Sequence, residues 1–147
     1  MEYTVGTILL MILITIVIGY YINATISIHK YKTNNLTKYY MAVFLGLQMG
    51  ILELIFMYRY ERNLGEQYIL LFIFLVIATI YIGRKLYTFD YMNDRQFMLA
   101  MIESNSFALT MANKTNAQDE RVKKLVNKIK TETQSEIDEM QYILKTL

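Results

Sequence analysis

The hydrophobic pattern divides the chain into three long apolar runs followed by two amphipathic stretches. The first run, Val5 to Ile28, begins with eighteen uncharged and mostly aliphatic residues. A helix of that length spans a hydrocarbon core of about 30 Å. The residues before it, MEYT, include no base, and no small-x-small site closes the run, so it reads as an uncleaved membrane helix. Tyr20, Tyr21 and His29 mark its wet end.

The second run, Tyr40 to Tyr58, is interrupted by Gln48 and Glu53. A carboxylate at bilayer depth is expensive, so Glu53 is expected to be protonated, paired or turned towards other helices. Gly46 and Gly50 form a G-x-x-x-G step that lets two backbones approach closely. The third run, Tyr68 to Tyr87, has no charge before Arg84 and Lys85 and carries tyrosine at both ends. A short loop separates the last two runs and makes them antiparallel neighbours. Helix is the expected form of all three, because hydrocarbon offers the backbone no other hydrogen-bond partner.

From about Tyr91 the period becomes that of an amphipathic helix. Phe97, Met101, Ala108, Met111 and Ala112 keep to one stripe, with Ser104 and Asn105 interrupting it. The stretch NKTNAQD reads as a turn, with Asn116 as N-cap of the next helix and Asp119 in its early turns. In the last helix Val122, Leu125, Val126, Ile129, Thr133, Ile137, Met140, Leu144 and Leu147 recur at steps of three and four. Lysines and glutamates fill its other face, with Lys128–Glu132 a favourable pair and Glu132–Glu136 a repulsive one. The stripe is longer than its partner helix, so it is expected to meet a further neighbour, either the membrane unit or a second subunit, and a homo-oligomer is the natural remedy. The expected fold is all-α: three transmembrane helices over residues 1–88, then an extramembrane helical hairpin over 89–147.

Charge follows the same division. Residues 1–87 hold eleven charged side chains, whereas 88–147 hold seventeen. The C-terminal part carries eight bases against nine acids, so it has no one-signed face for nucleic acid. Lys30, Lys32, Lys38, Arg84 and Lys85 flank one side of the three runs, and Arg59 and Arg62 the other. Five against two places the first loop and the hairpin in the cytoplasm of a cell-membrane protein, with the N-terminus outside. The chain has no proline to kink a helix and no cysteine for a disulfide or thiolate site.

The stretches YMNDRQFMLAMIESNSFALTMA (91–112) and RVKKLVNKIKTETQSEIDEMQYIL (121–144) carry a resemblance to a known family. The chain resembles the domain-of-unknown-function family numbered 305, in its small form with three membrane helices before the domain. The family pattern in the first helix is F-M-x-x-M-I-P-H-H-x-x-A-x-x-M, matched here by Phe97, Met98, Met101, Ile102, Ala108 and Met111. In the second helix Gln134, Glu136, Ile137 and Met140 fall in place. The resemblance implies a mostly bacterial family, some members of which are implicated in handling copper or other metals.

The departure lies at the centre of the pattern. Glu103, Ser104 and Asn105 stand where the family has P-H-H, so both imidazoles are missing. Serine and amide groups are poor substitutes as ligands for first-row metals. Thioethers still suit Cu(I), and the resemblance points to Met101, Met111 and Met140 with Glu136 as the remaining metal site. By periodicity alone each of these methionines is an adaptable core filler. The single histidine, His29, sits at a membrane edge and supplies no catalytic dyad or zinc motif, so no enzyme is expected.

Three readings follow. The first is a structural or interaction module with a degenerate metal site and no resident cofactor. The second is a membrane-anchored copper-binding or metal-resistance accessory. The third is a proton- or ion-coupled membrane component using Glu53.

Overall fold

The structure, a computed structural model, describes residues 5–25, 31, 33–60 and 65–147. His29, Lys30, Lys32 and Arg62, used above for the interface and for orientation, lie outside the described residues, as does the 26–28 end of the first run. Five helices make up the described chain: α1 (Val5–Thr25), α2 (Leu36–Tyr60), α3 (Glu66–Thr88), α4 (Asp94–Lys114) and α5 (Glu120–Leu144). The all-α expectation holds. Three of them, α1, α2 and α3, are long and apolar enough to cross a membrane.

The chain divides into two compact units. One comprises Met1–Ile22 with Thr37–Tyr91, and the other Asn23–Leu36 with Met92–Leu147. A single cut near residue 88 therefore misses one feature: the stretch between α1 and α2 groups with the C-terminal helices.

In the first unit α1, α2 and α3 share a core built around Ile8, Ile12, Leu47, Leu54, Met57 and Leu75. The Gly46–Gly50 step sits at the helix contact. A Cβ on Gly46 would overlap Ile16 and stand 3.0 Å from the Ile12 carbonyl oxygen; one on Gly50 would come within 2.8 Å of Ile12 Cγ1 and 3.0 Å of Leu75 Cδ1. The missing side chains thus set how closely α1 and α3 approach α2. The opposite faces of these helices expose large apolar side chains, such as Leu13, Val17, Phe74 and Ile77. Rings gather at one end of the unit. Tyr20 stacks on Tyr39 at 4.8 Å, Tyr40 meets Tyr91 at 4.4 Å, and the Tyr91 hydroxyl is 3.3 Å from Thr37 Oγ1. The end of α1, the start of α2 and the residues after α3 therefore lie at one level. Lys38 is buried there, with its ammonium 5.9 Å from the centre of the Tyr20 ring.

α2 starts four residues earlier than the apolar run suggests. Its first amide, Leu36 N–H, donates to Gln96 Oε1 at 2.9 Å, so a side chain sixty residues away satisfies a helix-terminal donor. Local pattern carries no sign of such a cap.

In the second unit α4 and α5 pack against each other, joined by residues 115–119. Five linking residues reach at most about 20 Å, less than the roughly 30 Å length of α4, so α5 must run back along it. Ile102 and Leu109 of α4, Ile137 of α5 and Tyr31 form the buried core, with Met140 and Leu144 packed on it. The α4 stripe is rotated from the expected one. Its buried face is Ile102, Glu103, Ser106, Leu109 and Ala112, while Phe97 and Met111 are exposed. Two of those five are polar, so apolar periodicity alone places the stripe wrongly.

Both helix starts are capped by side chains. Asn93 Oδ1 accepts from Gln96 N–H at 2.8 Å, and Asp119 Oδ1 accepts from Arg121 N–H at 2.7 Å. Asp119, and not Asn116, is the N-cap of α5. Its backbone is extended, its carboxylate meets the second helical amide, and Asn116 lies in the non-helical connection. Lys128 and Glu132 pair at 3.5 Å along α5, as expected.

Candidate functional site

The centre of α4, at Glu103, Ser104 and Asn105, is the position to test for a site. Of the three residues there, Ser104 is exposed, Asn105 is half-buried and Glu103 is buried. Glu103 points at the segment preceding α2. Its Oε2 lies 2.7 Å from Asn35 Nδ2, which donates to it, and 3.2 Å from Thr33 Oγ1. Thr33 has a single hydroxyl proton, and the shorter contact, 2.7 Å to the Leu99 carbonyl oxygen, takes it best. Asn35 is then the direct donor to the carboxyl group, and it is itself buried. One strand of loop thus lies along α4 through Tyr31, Thr33, Asn35 and the Leu36 amide.

Tyr31 holds the other end of this strap. Its ring is buried among Ile102, Leu109 and Ile137, and its hydroxyl accepts from Gln134 Nε2 at 2.9 Å. Gln134 also donates to Asp138 Oδ1 at 2.9 Å. Ring burial and a satisfied hydroxyl make Tyr31 a core residue of the α4–α5 unit, although it lies 103 residues before Gln134.

Asn105 Nδ2 donates to Glu136 Oε2 at 2.8 Å across the two helices. That bond gives Glu136 a neutral partner and sets the register. One turn before Asn105 is Met101, and one turn after Glu136 is Met140, so the two methionines fall at facing levels of antiparallel helices. Met111 falls elsewhere. It is ten residues, about 15 Å of helix rise, from Met101, and its side chain is exposed. One ion does not reach both thioethers, so Met101, Met111, Glu136 and Met140 do not form a single ligand set. Among the described residues no group of three or more His, Cys, Asp or Glu side chains is placed to hold a metal ion.

Elsewhere in the chain, Glu53 of α2 is half-buried, and no described residue gives it a hydrogen bond or ion pair. At the start of α5, the Arg121 guanidinium and then the Arg121 amide hold the Asp119 carboxyl below its ordinary value, and Asp119 in turn raises Arg121.

Of the residues that build the site, Tyr31, Thr33, Asn35, Gln96 and Glu103 escaped the sequence reading. Only Glu103 left a trace. A carboxyl group between Ile102 and Ser106 on a helix face needs donors from outside the helix, but the sequence does not say where they come from.

The fold defines a class: an all-α protein with three helices long and apolar enough for a membrane, and a second, more polar helical unit. Within it, residues 88–144, which span α4 and α5, match the family model described as a domain of unknown function (DUF305). No curated protein and no solved structure matches the chain.

Proposed function

We propose that the chain is a small integral membrane protein in which α1, α2 and α3 each cross the bilayer. α4 and α5 form a hairpin on one side, completed by the loop between α1 and α2. In this reading it is a structural or interaction module and not an enzyme, and the site at the centre of α4 has exchanged metal ligands for a strap contact. The observation that carries it is the burial of Tyr31 in the α4–α5 core. Segments that fold together share one side of a membrane. Between them the chain passes through α2 and α3, an even number of crossings, which agrees with both being spans. Lysine and arginine counts put that side in the cytoplasm.

Single cysteines test the arrangement, since the chain has none of its own. Asn34→Cys and Leu147→Cys are expected to react with an impermeant maleimide from one side of the membrane, and Gly65→Cys from the other. Labelling of Asn34→Cys and Leu147→Cys from opposite sides would rule the arrangement out.

One observation favours a second reading, a membrane-anchored copper accessory. The Asn105–Glu136 bond brings Met101 and Met140 to facing levels, and two thioethers are a soft pair suited to Cu(I). This reading expects Cu(I) uptake by the detergent-purified protein, lost in Met101→Leu and Met140→Leu but kept in Met111→Leu. The first reading expects no uptake by any of them.

A further inference from the structure

We propose that α2 carries a self-association seam, and that a second copy of this chain covers it in the bilayer, with the Gln48 amides of the two copies hydrogen-bonded to each other. The proposal rests on α2 being a membrane span and adds to that reading the surface through which copies meet.

α2 has two unlike faces. One carries Gly46, Leu47, Gly50 and Leu54 and is taken up by α1 and α3. On the other, Met41, Gln48, Leu52 and Ile55 are exposed, with Leu45 half-exposed at its edge, where its side chain also borders Gly19 of α1. Their spacing, four then three residues repeatedly, is the seam of a left-handed helix pair crossing at about 20°. Spacing alone does not single out this face, because any exposed helix stripe has it. Leu70, Phe74, Ile77 and Tyr81 of α3 make one too.

Gln48 makes the difference. The candidate span runs from Leu36 to Arg59, and Gln48 lies at its midpoint. A glutamine there is too far from either end for its short side chain to reach water. Its carbonyl and two N–H groups find no partner among the described residues, and lipid tails offer none. The stripe on α3 is apolar as far as Tyr81, whose ring lies beside Lys85 towards the end of the span, and lipid can cover the rest without cost. The same is not true of α2.

The occupant follows from geometry. Copies inserted the same way place Gln48 at one depth. A twofold axis along the membrane normal makes the two α2 helices parallel and brings each Gln48 opposite its equivalent. An amide is self-complementary: each N–H faces the other's carbonyl, and two reciprocal bonds satisfy both groups. A different membrane helix would have to present a matching polar group at that same depth, a condition an identical copy meets automatically.

The test uses the full-length chain in membranes, with cysteines introduced one at a time. Leu45→Cys and Leu52→Cys are expected to form disulfide-linked dimers on mild oxidation. Leu47→Cys and Leu54→Cys, on the occupied face, and Phe74→Cys on α3 are expected not to. Without oxidation, Gln48→Leu should weaken association in the bilayer by about tenfold, while Gln48→Asn retains most of it. Cross-linking strongest on α3, even along α2, or absent would overturn the seam. Association undiminished in Gln48→Leu would overturn the role of the amide. Extraction of the chain by alkaline carbonate would instead overturn the crossing of α2, so the two failures are distinguishable.

Discussion

At the residue scale, Glu103 is the most informative position. It stands on the buried face of α4, and its carboxyl oxygen receives Asn35. Leucine at this site would fill the space but remove the acceptor 2.7 Å from the buried Asn35 amide, a loss of about 1–3 kcal/mol. Glutamine keeps one acceptor and should cost less. Chemical denaturation of the two variants in the same detergent checks the order, and equal stabilities would mean that the contact adds nothing. Asp119 gives a pH-dependent prediction. Its carboxyl is held below the ordinary value of 3.8 by Arg121, so its capping contribution is complete above that pH. The contribution disappears as pH falls through the lowered value. Amide exchange at Arg121, corrected for its intrinsic pH dependence, should therefore speed up in strong acid, and Asp119→Ala should remove that step. Both residues show where sequence runs out. Asp119 and Asn116 are each acceptable caps by type, and only backbone geometry chooses between them. Glu103 announces a need for donors without naming the loop that supplies them.

At the element scale, the proposed crossing of α1, α2 and α3 would mean that different forces hold the two sets of helices. In water, burying Ile102 and Ile137 contributes about 1.5–3 kcal/mol each, so an apolar stripe is enough to drive α4 onto α5. In a bilayer the lipid tails are as apolar as the helices, and close packing has to hold them instead. That makes Gly46 and Gly50 more important than their size suggests. Gly46→Ala should cost about 1–3 kcal/mol, because the new methyl meets Ile16 and the Ile12 backbone. Ala42→Gly on the same helix adds no atom and tests whether small size alone is at issue. Unfolding in mixed micelles measures both, and a neutral Gly46→Ala would show that α1 can move away freely. Sequence located these glycines because a G-x-x-x-G step is local. It placed the α4 stripe less well, since Ser106 is buried and Phe97 exposed.

At the scale of the whole molecule, the chain order matters most. The segment before α2 belongs with helices that come more than sixty residues later, so the second unit is complete only when both parts are present. Tyr31→Ala in the full chain should therefore destabilise α4–α5 by about 3–5 kcal/mol through the cavity it leaves. Tyr31→Phe keeps the ring and removes the bond to Gln134, at about 1 kcal/mol. Hydrogen exchange along α4 and α5 reads both effects, and protection unchanged in Tyr31→Ala would remove Tyr31 from the core. The same order bears on the hairpin's uncovered apolar residues. Val122 and Leu125 stay exposed on α5, as the long stripe suggested, while the middle of that stripe is covered by Tyr31 and α4. By itself the sequence determined what depends on runs of like residues: five helices, three of them long and mostly apolar, and the glycine step where they approach. Tertiary structure alone decided what depends on partners far apart along the chain. These are the strap from Tyr31 to Leu36, the donors that Glu103 meets, and the facing levels of Met101 and Met140. A helix or a span is a property of neighbouring residues, whereas a buried polar contact is a property of two segments whose meeting no local pattern records.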